Sequence, residues 1–256
     1  MSNPNCYKKY IIGRNFVKTT NYETINTGRQ KKAAGIEQSS NPMSPQELDT
    51  AYQYRQRAKR EHLLRLADVN FIPETSIFMT LTFRENVTDY EIAVKAFKGF
   101  TKRLRRKFEN LLYVATLEKQ QRGAYHFHLL INVQDVQVGL DYVVPCWQNG
   151  SVDIQPVSEV KSLLLYMTKD FQKQDRSHPL FNKRCYFLSQ GLEKWIETTT
   201  WNSTTAQIQS VEQMLQKRLP DKSSCVNTTK AGQTEYQDYY FATNCYTAAK
   251  AARLKK

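Results

Sequence analysis

Two of the chain's four histidines, His126 and His128, stand one residue apart in the apolar run YHFHLLINV (125–133). Side chains on a strand alternate between faces, so both imidazoles would point one way and Phe127 the other. A second apolar run, LLYVATLE (111–118), ends in Glu118, and the basic, glycine-bearing KQQRGA separates the two. Directly opposed residues of an antiparallel hairpin share a face. If Glu118 lies across from either histidine, all three side chains converge, because the two registers differ by an even shift. Two nitrogens and one carboxylate with open positions suit Mn²⁺, Mg²⁺, Fe²⁺ or Zn²⁺. The His-x-His pattern alone is equally compatible with core or surface histidines; the carboxylate across the turn favours the metal.

A second group of chemistry-bearing residues is Tyr166 and Lys169, in LLLYMTKDF (163–171). Three residues apart on a helix, they share one side, away from the apolar stripe Val160, Leu164, Met167 and Phe171. By itself the pair reads as a tyrosine at the core boundary with a snorkelling lysine. Beside a metal site it reads differently. A phenol, with an ordinary pKa of about 10, is a poor nucleophile at neutral pH. A divalent ion that polarises a phosphate, with cations to hold the charge, makes attack by tyrosine on phosphorus feasible.

The elements that must position these groups follow from periodicity. IFMTLTF (77–83) alternates Met79, Leu81 and Phe83 against Phe78, Thr80 and Thr82, a half-buried strand whose threonines share the more polar face. From Tyr90 to Glu109 the stripe Ala93, Phe97, Phe100, Leu104 and Phe108 predicts an amphipathic helix, its other side crowded with lysine and arginine. The hairpin 111–133 follows. SVDIQPV (151–157) reads as an edge strand because Pro156 cannot donate to a ladder. Ser158 is a candidate cap for a helix reaching Phe171, and RCYFLSQ (184–190) is a last strand. The fold class expected is α+β, a central antiparallel sheet of about five strands with packed helices.

The flanks carry weaker signals. Residues 1–70 read as a basic, polar N-terminal arm and a lead-in helix over 46–69, and 71–197 as the catalytic domain. Residues 198–256, rich in Thr, Ser and Gln, read as a weakly packed extension with a helical patch near 207–219.

Composition narrows the partners. Lysine plus arginine number 37 against 24 acidic residues, a formal net charge of +13 that favours polyanions, nucleic acid before membrane surface. Phosphate contact is expected from Thr80 and Thr82, from Lys102, Arg103 and Arg106 on the basic helix, and from Arg122 in the turn. Five scattered cysteines without a C-x-x-C pair argue against a disulfide framework and a zinc-cysteine site. With no membrane-length apolar run and no leader-like N-terminus, a cytoplasmic location, in a bacterial host, is expected.

In its residues FMTLTF (78–83), LEKQQRGAYHFHLLINV (117–133), LLLYMTKDF (163–171) and RCYFLSQGL (184–192), the chain resembles the rolling-circle replication initiators of the HUH endonuclease superfamily, in the order that family keeps. The single helix tyrosine resembles the one-tyrosine members. The resemblance implies the RRM-like HUH nuclease fold, with Glu118, His126 and His128 holding Mn²⁺ or Mg²⁺. It implies that Tyr166 attacks a phosphodiester of single-stranded or hairpin origin DNA, leaving a 5′-phosphotyrosine and a 3′-hydroxyl for a polymerase, with Lys169 steadying the charge. The linkage conserves bond energy, so the strand can be rejoined. No G-x-x-x-x-G-K-[ST] motif is present, so a host helicase and DNA polymerase are the expected partners, and a plasmid or phage the expected replicon. Three other readings compete. They are a non-catalytic single-strand binder stacking bases on Phe78, Tyr113 or Phe127, a metallohydrolase that activates water, and a relaxase or transposase of the same chemistry.

Overall fold

A computed structural model of the chain describes residues 7–22, 44–108, 110–120, 122–132, 140–172, 178–200, 205–216, 218–228, 232–242 and 244–254. The chain divides into two compact units, one of residues 44–193 and one that joins residues 1–43 to residues 194–256. No helix among the described residues is long and apolar enough to cross a membrane. The four described cysteines are free.

In the 44–193 unit, β3 (Ser76–Phe83), β4 (Leu112–Lys119), β5 (Tyr125–Asn132), β6 (Gly150–Pro156) and β7 (Tyr186–Leu188) form one antiparallel sheet in the order β6-β3-β5-β4-β7. As Pro156 requires, β6 is an edge strand. The helices are α1 (Pro45–Asn70), α2 (Tyr90–Arg105), α3 (Leu140–Trp147) and α4 (Val160–Met167). Helix α1 starts at a capping box, with Ser44 and Glu47 satisfying each other's backbone N–H, and Pro45 in its first turn. Asp89 caps α2 by accepting from Ile92 N at 2.9 Å.

The α2 stripe Ala93, Phe97, Phe100 and Leu104 is buried against one face of the sheet. Phe97 lies flat on Phe127, ring centroids 4.5 Å apart at 17°, and edge-on to Tyr113. Phe127 is fully buried, so β5 is anchored from behind and its histidines are turned to the other face. The turn from β4 to β5 closes through Gln120 N to Ala124 O and Gly123 N to Gln120 O, both 2.8 Å. Gly123 takes φ +90° there, a conformation that favours glycine.

Three local expectations are corrected. The helix read through Phe171 is broken: α4 ends at Met167, and a 3-10 turn over Lys169–Gln172 carries Lys169. Thr168 stops the helix, its hydroxyl donating to Leu164 O. Glu159, not Ser158, occupies the position before α4 and makes no side-chain cap. Helix α3 has no counterpart in the sequence reading, because it follows residues without clear period and contains Pro145. Glu109 and Val133, the expected last residues of α2 and β5, lie outside the described residues.

The arm and the extension differ most from expectation. β1 (Tyr7–Ile12), β2 (Phe16–Tyr22), β8 (Ile196–Thr199), β9 (Lys222–Thr228) and β10 (Gly232–Tyr240) form a second antiparallel sheet, ordered β8-β1-β2-β10-β9. Helices α5 (Thr205–Leu215) and α6 (Cys245–Leu254) complete a core with Tyr10, Ile12, Val17, Ile196 and Tyr239. Its interior uses tyrosine, cysteine and alanine in place of long aliphatics, which hides it from a hydrophobicity reading. The division into 1–70, 71–197 and 198–256 is corrected accordingly: α1 belongs with the histidine-bearing sheet, and the two chain ends share a sheet.

Candidate functional site

Register decides the site. Glu118 pairs with His126 across β4 and β5, while Thr82 and Thr80 of β3 pair with His126 and His128. All project from the sheet face opposite α2. His126 Nε2 and His128 Nε2 lie 3.2 and 3.1 Å from the same oxygen, Glu118 Oε2. The other carboxylate oxygen, Oε1, is 3.3 Å from Lys169 Nζ. One ligand atom from each of the three residues falls within 4.8 Å of the other two.

This donor set fits a divalent metal. His126 Nε2 is buried within ion-pair distance of Glu118 yet makes no hydrogen bond, an orphaned ligand atom aimed into the cluster. The outer ring nitrogens are held: His128 Nδ1 lies 3.1 Å from Thr80 Oγ1, and His126 Nδ1 2.9 Å from the Gln120 amide nitrogen. Arg122 Nε donates to Gln120 Oε1 at 2.9 Å and fixes that amide. Such outer partners orient metal-binding imidazoles. Thr116, paired with His128, adds a buried hydroxyl without a partner.

Electrostatics favours the ligating forms. Burial would raise the Glu118 carboxyl, but hydrogen bonds with His126, His128 and Asp170 outweigh it and hold the group well below the usual carboxylate range. Burial, partly offset by the Glu118 hydrogen bond, holds His128 below the ordinary histidine value. Burial would lower Lys169, but the charge and hydrogen bond of Glu118 raise it. At neutral pH the site therefore presents a carboxylate, a neutral His128 and an ammonium.

Tyr166, at the last turn of α4, stands over this cluster. Its ring is 5.4 Å from the His128 ring and 6.2 Å, edge-on, from Phe78. Lys169 Nζ lies 4.4 Å from the Tyr166 ring centroid. Tyr166 is 46% exposed, unusual for a tyrosine beside a packed sheet, so its hydroxyl is open to an incoming strand.

The residues expected to touch DNA separate. Thr80 is bound to His128 and Arg122 to Gln120, so both support the cluster, and Thr82 sits half-buried on the same face. Arg103 donates to Cys146 O at 2.7 Å and ties α2 to α3. Lys102 and Arg106 are exposed on the far side of the sheet. Gln120 is the supporting residue that the sequence reading missed. Its place in the turn, two residues beyond Glu118, is the signal that could have found it.

Residues 76–175 match a family model of replication-associated proteins of the ORF2 type. The matched segment contains Glu118, His126, His128, Tyr166 and Lys169, and it bears out the resemblance to replication initiators read from the sequence. No curated protein and no solved structure matches the chain.

Proposed function

We propose that the chain is a replication-initiation endonuclease that nicks and rejoins single-stranded origin DNA through a 5′-phosphotyrosine. The observation that carries this reading is the convergence of Glu118, His126 and His128 beside an exposed tyrosine and a lysine that touches both. Glu118, His126 and His128 would hold a divalent ion, Mn²⁺ or Mg²⁺, which when bound polarises the scissile phosphate. Tyr166 Oη gives an electron pair to phosphorus and the bond from phosphorus to the 3′-oxygen breaks. The phenolic proton is lost to solvent and one is returned to the 3′-oxygen. Lys169 sits between the carboxylate and the phenol and balances negative charge as it builds. Rejoining is the reverse attack by the 3′-hydroxyl.

The reading as a base-stacking module loses its platform, since Phe78, Tyr113 and Phe127 are 7%, 5% and 0% exposed. A metallohydrolase would leave Tyr166 without a role. The test is incubation with labelled single-stranded origin DNA and Mn²⁺, followed by denaturing electrophoresis. A DNA-shifted protein band is expected, absent in Tyr166→Phe and after chelation. Cleavage without a covalent species, or a band that survives Tyr166→Phe, would refute the proposal.

A further inference from the structure

The sheet face that carries α2 holds a second candidate site. An open cavity of about 380 Å³ lies between α2 and the β4-β7 edge, ringed by Lys98, Lys102, Arg105 and Arg184. Lys98, Lys102 and Arg105 follow one another along α2 at intervals of four and three residues, a single row about 6 Å per step for the first pair. Arg184 faces them from the segment before β7, its Nε donating to Tyr186 O at 2.9 Å. Two of the guanidiniums rest on the floor, Arg184 5.2 Å from the Phe187 ring centroid and Arg105 5.7 Å from that of Tyr113. No acidic residue lines the cavity, and none of the four cations has an ion-pair partner among the described residues.

We propose that this cavity is a second docking site for DNA, one that takes backbone phosphates without reading sequence. Four unpaired cations from two elements, gathered around a concavity, match a polyanion, whereas a merely solvated basic face has no need to converge. The floor residues Phe97, Tyr113 and Phe187 are 1%, 5% and 6% exposed, so no aromatic face is free to stack a base. That removes both a single-strand platform and a nucleotide pocket, and leaves phosphate contact. The site lies across the sheet from Tyr166, placed to hold duplex while the other face holds the strand to be cut. Only that division of labour rests on the proposed function.

The experiment is fluorescence anisotropy of a 30-base-pair duplex without origin sequence, titrated with protein from 50 to 200 mM NaCl. Lys98→Gln/Lys102→Gln/Arg105→Gln/Arg184→Gln is expected to lower the slope of log K against log salt by about 3 to 4 and to weaken binding at least tenfold at 50 mM. If that variant does not fold, Lys98→Gln/Lys102→Gln, on the exposed side of α2, is expected to lower the slope by about 2. An unchanged slope overturns the proposal. So does an equal loss in the charge-matched Arg57→Gln/Lys59→Gln/Lys194→Gln/Lys222→Gln, or displacement by millimolar ATP with no change in the duplex slope, which would assign the cavity to free nucleotide. Nicking of a short single-stranded oligonucleotide by the unaltered protein is measured separately; its failure would sink the Tyr166 reading and leave the salt comparison intact.

Discussion

Lys169 Nζ meets Glu118 through Oε1, 3.3 Å away, the carboxylate oxygen that the two histidines leave untouched. The ammonium thus supplies positive charge to a carboxylate that a metal would also need. Lysine and metal compete electrostatically for Glu118 even though they use different oxygens.

Removing that competitor separates binding from chemistry. Lys169→Met should bind Mn²⁺ about two- to fivefold more tightly, the size of a part-exposed ion pair, while strand transfer slows. Calorimetric titration checks the first and single-turnover nicking the second. Weaker metal binding in Lys169→Met would contradict this account.

Thr80 holds the outer nitrogen of His128 at 3.1 Å. Thr80→Val keeps the shape of the side chain and removes the hydroxyl, so Mn²⁺ affinity should fall about 10- to 100-fold. Thr80→Ser should restore most of it. Equal losses in Val and Ser variants would point to β3 packing as the cause.

The aromatic stack behind the histidines is a stability element. Phe97→Ala removes the ring lying on Phe127 and should cost about 3–5 kcal/mol in urea unfolding. Because Phe127 separates His126 from His128, metal affinity should drop in the same variant. A loss below about 1 kcal/mol would mean that the gap closes by repacking.

The pH dependence has a definite sign. His128 titrates lower in the folded protein than in the unfolded chain, where the ordinary value is about 6.5. As pH falls through that value, the unfolded chain takes up a proton that the folded site resists, so the metal-free protein loses stability. Glu118 acts in the same direction at more acidic pH, since its folded-state pKa is also depressed. The urea midpoint should therefore fall between pH 7.5 and 5.5, and His128→Gln should flatten that fall. An equal fall in His128→Gln would assign the effect to other groups.

The site was legible where spacing is local. The alternation in 125–133 and the turn before it placed Glu118, His126 and His128 on one face without any long-range information, because hairpin register depends only on adjacent residues. Tyr166 could be set on the open side of its helix because the stripe from Val160 to Phe171 is strong. The break at Thr168 was not visible, since it rests on a side-chain bond to Leu164 O. The second sheet was hidden for a different reason. β1 pairs with β8, and β2 with β10, across nearly the whole chain, and neither end of the sequence announces a partner that far away. Gln120 was missed because glutamine in a turn ordinarily faces water.

The six residues from Lys119 to Ala124 have a further consequence. One residue inserted there would let the same two strands pair with Glu118 facing the phenylalanine side, among Phe97 and Phe187, and the imidazoles alone on the other. The length of a loop that touches no substrate therefore sets how many oxygen donors the cation meets.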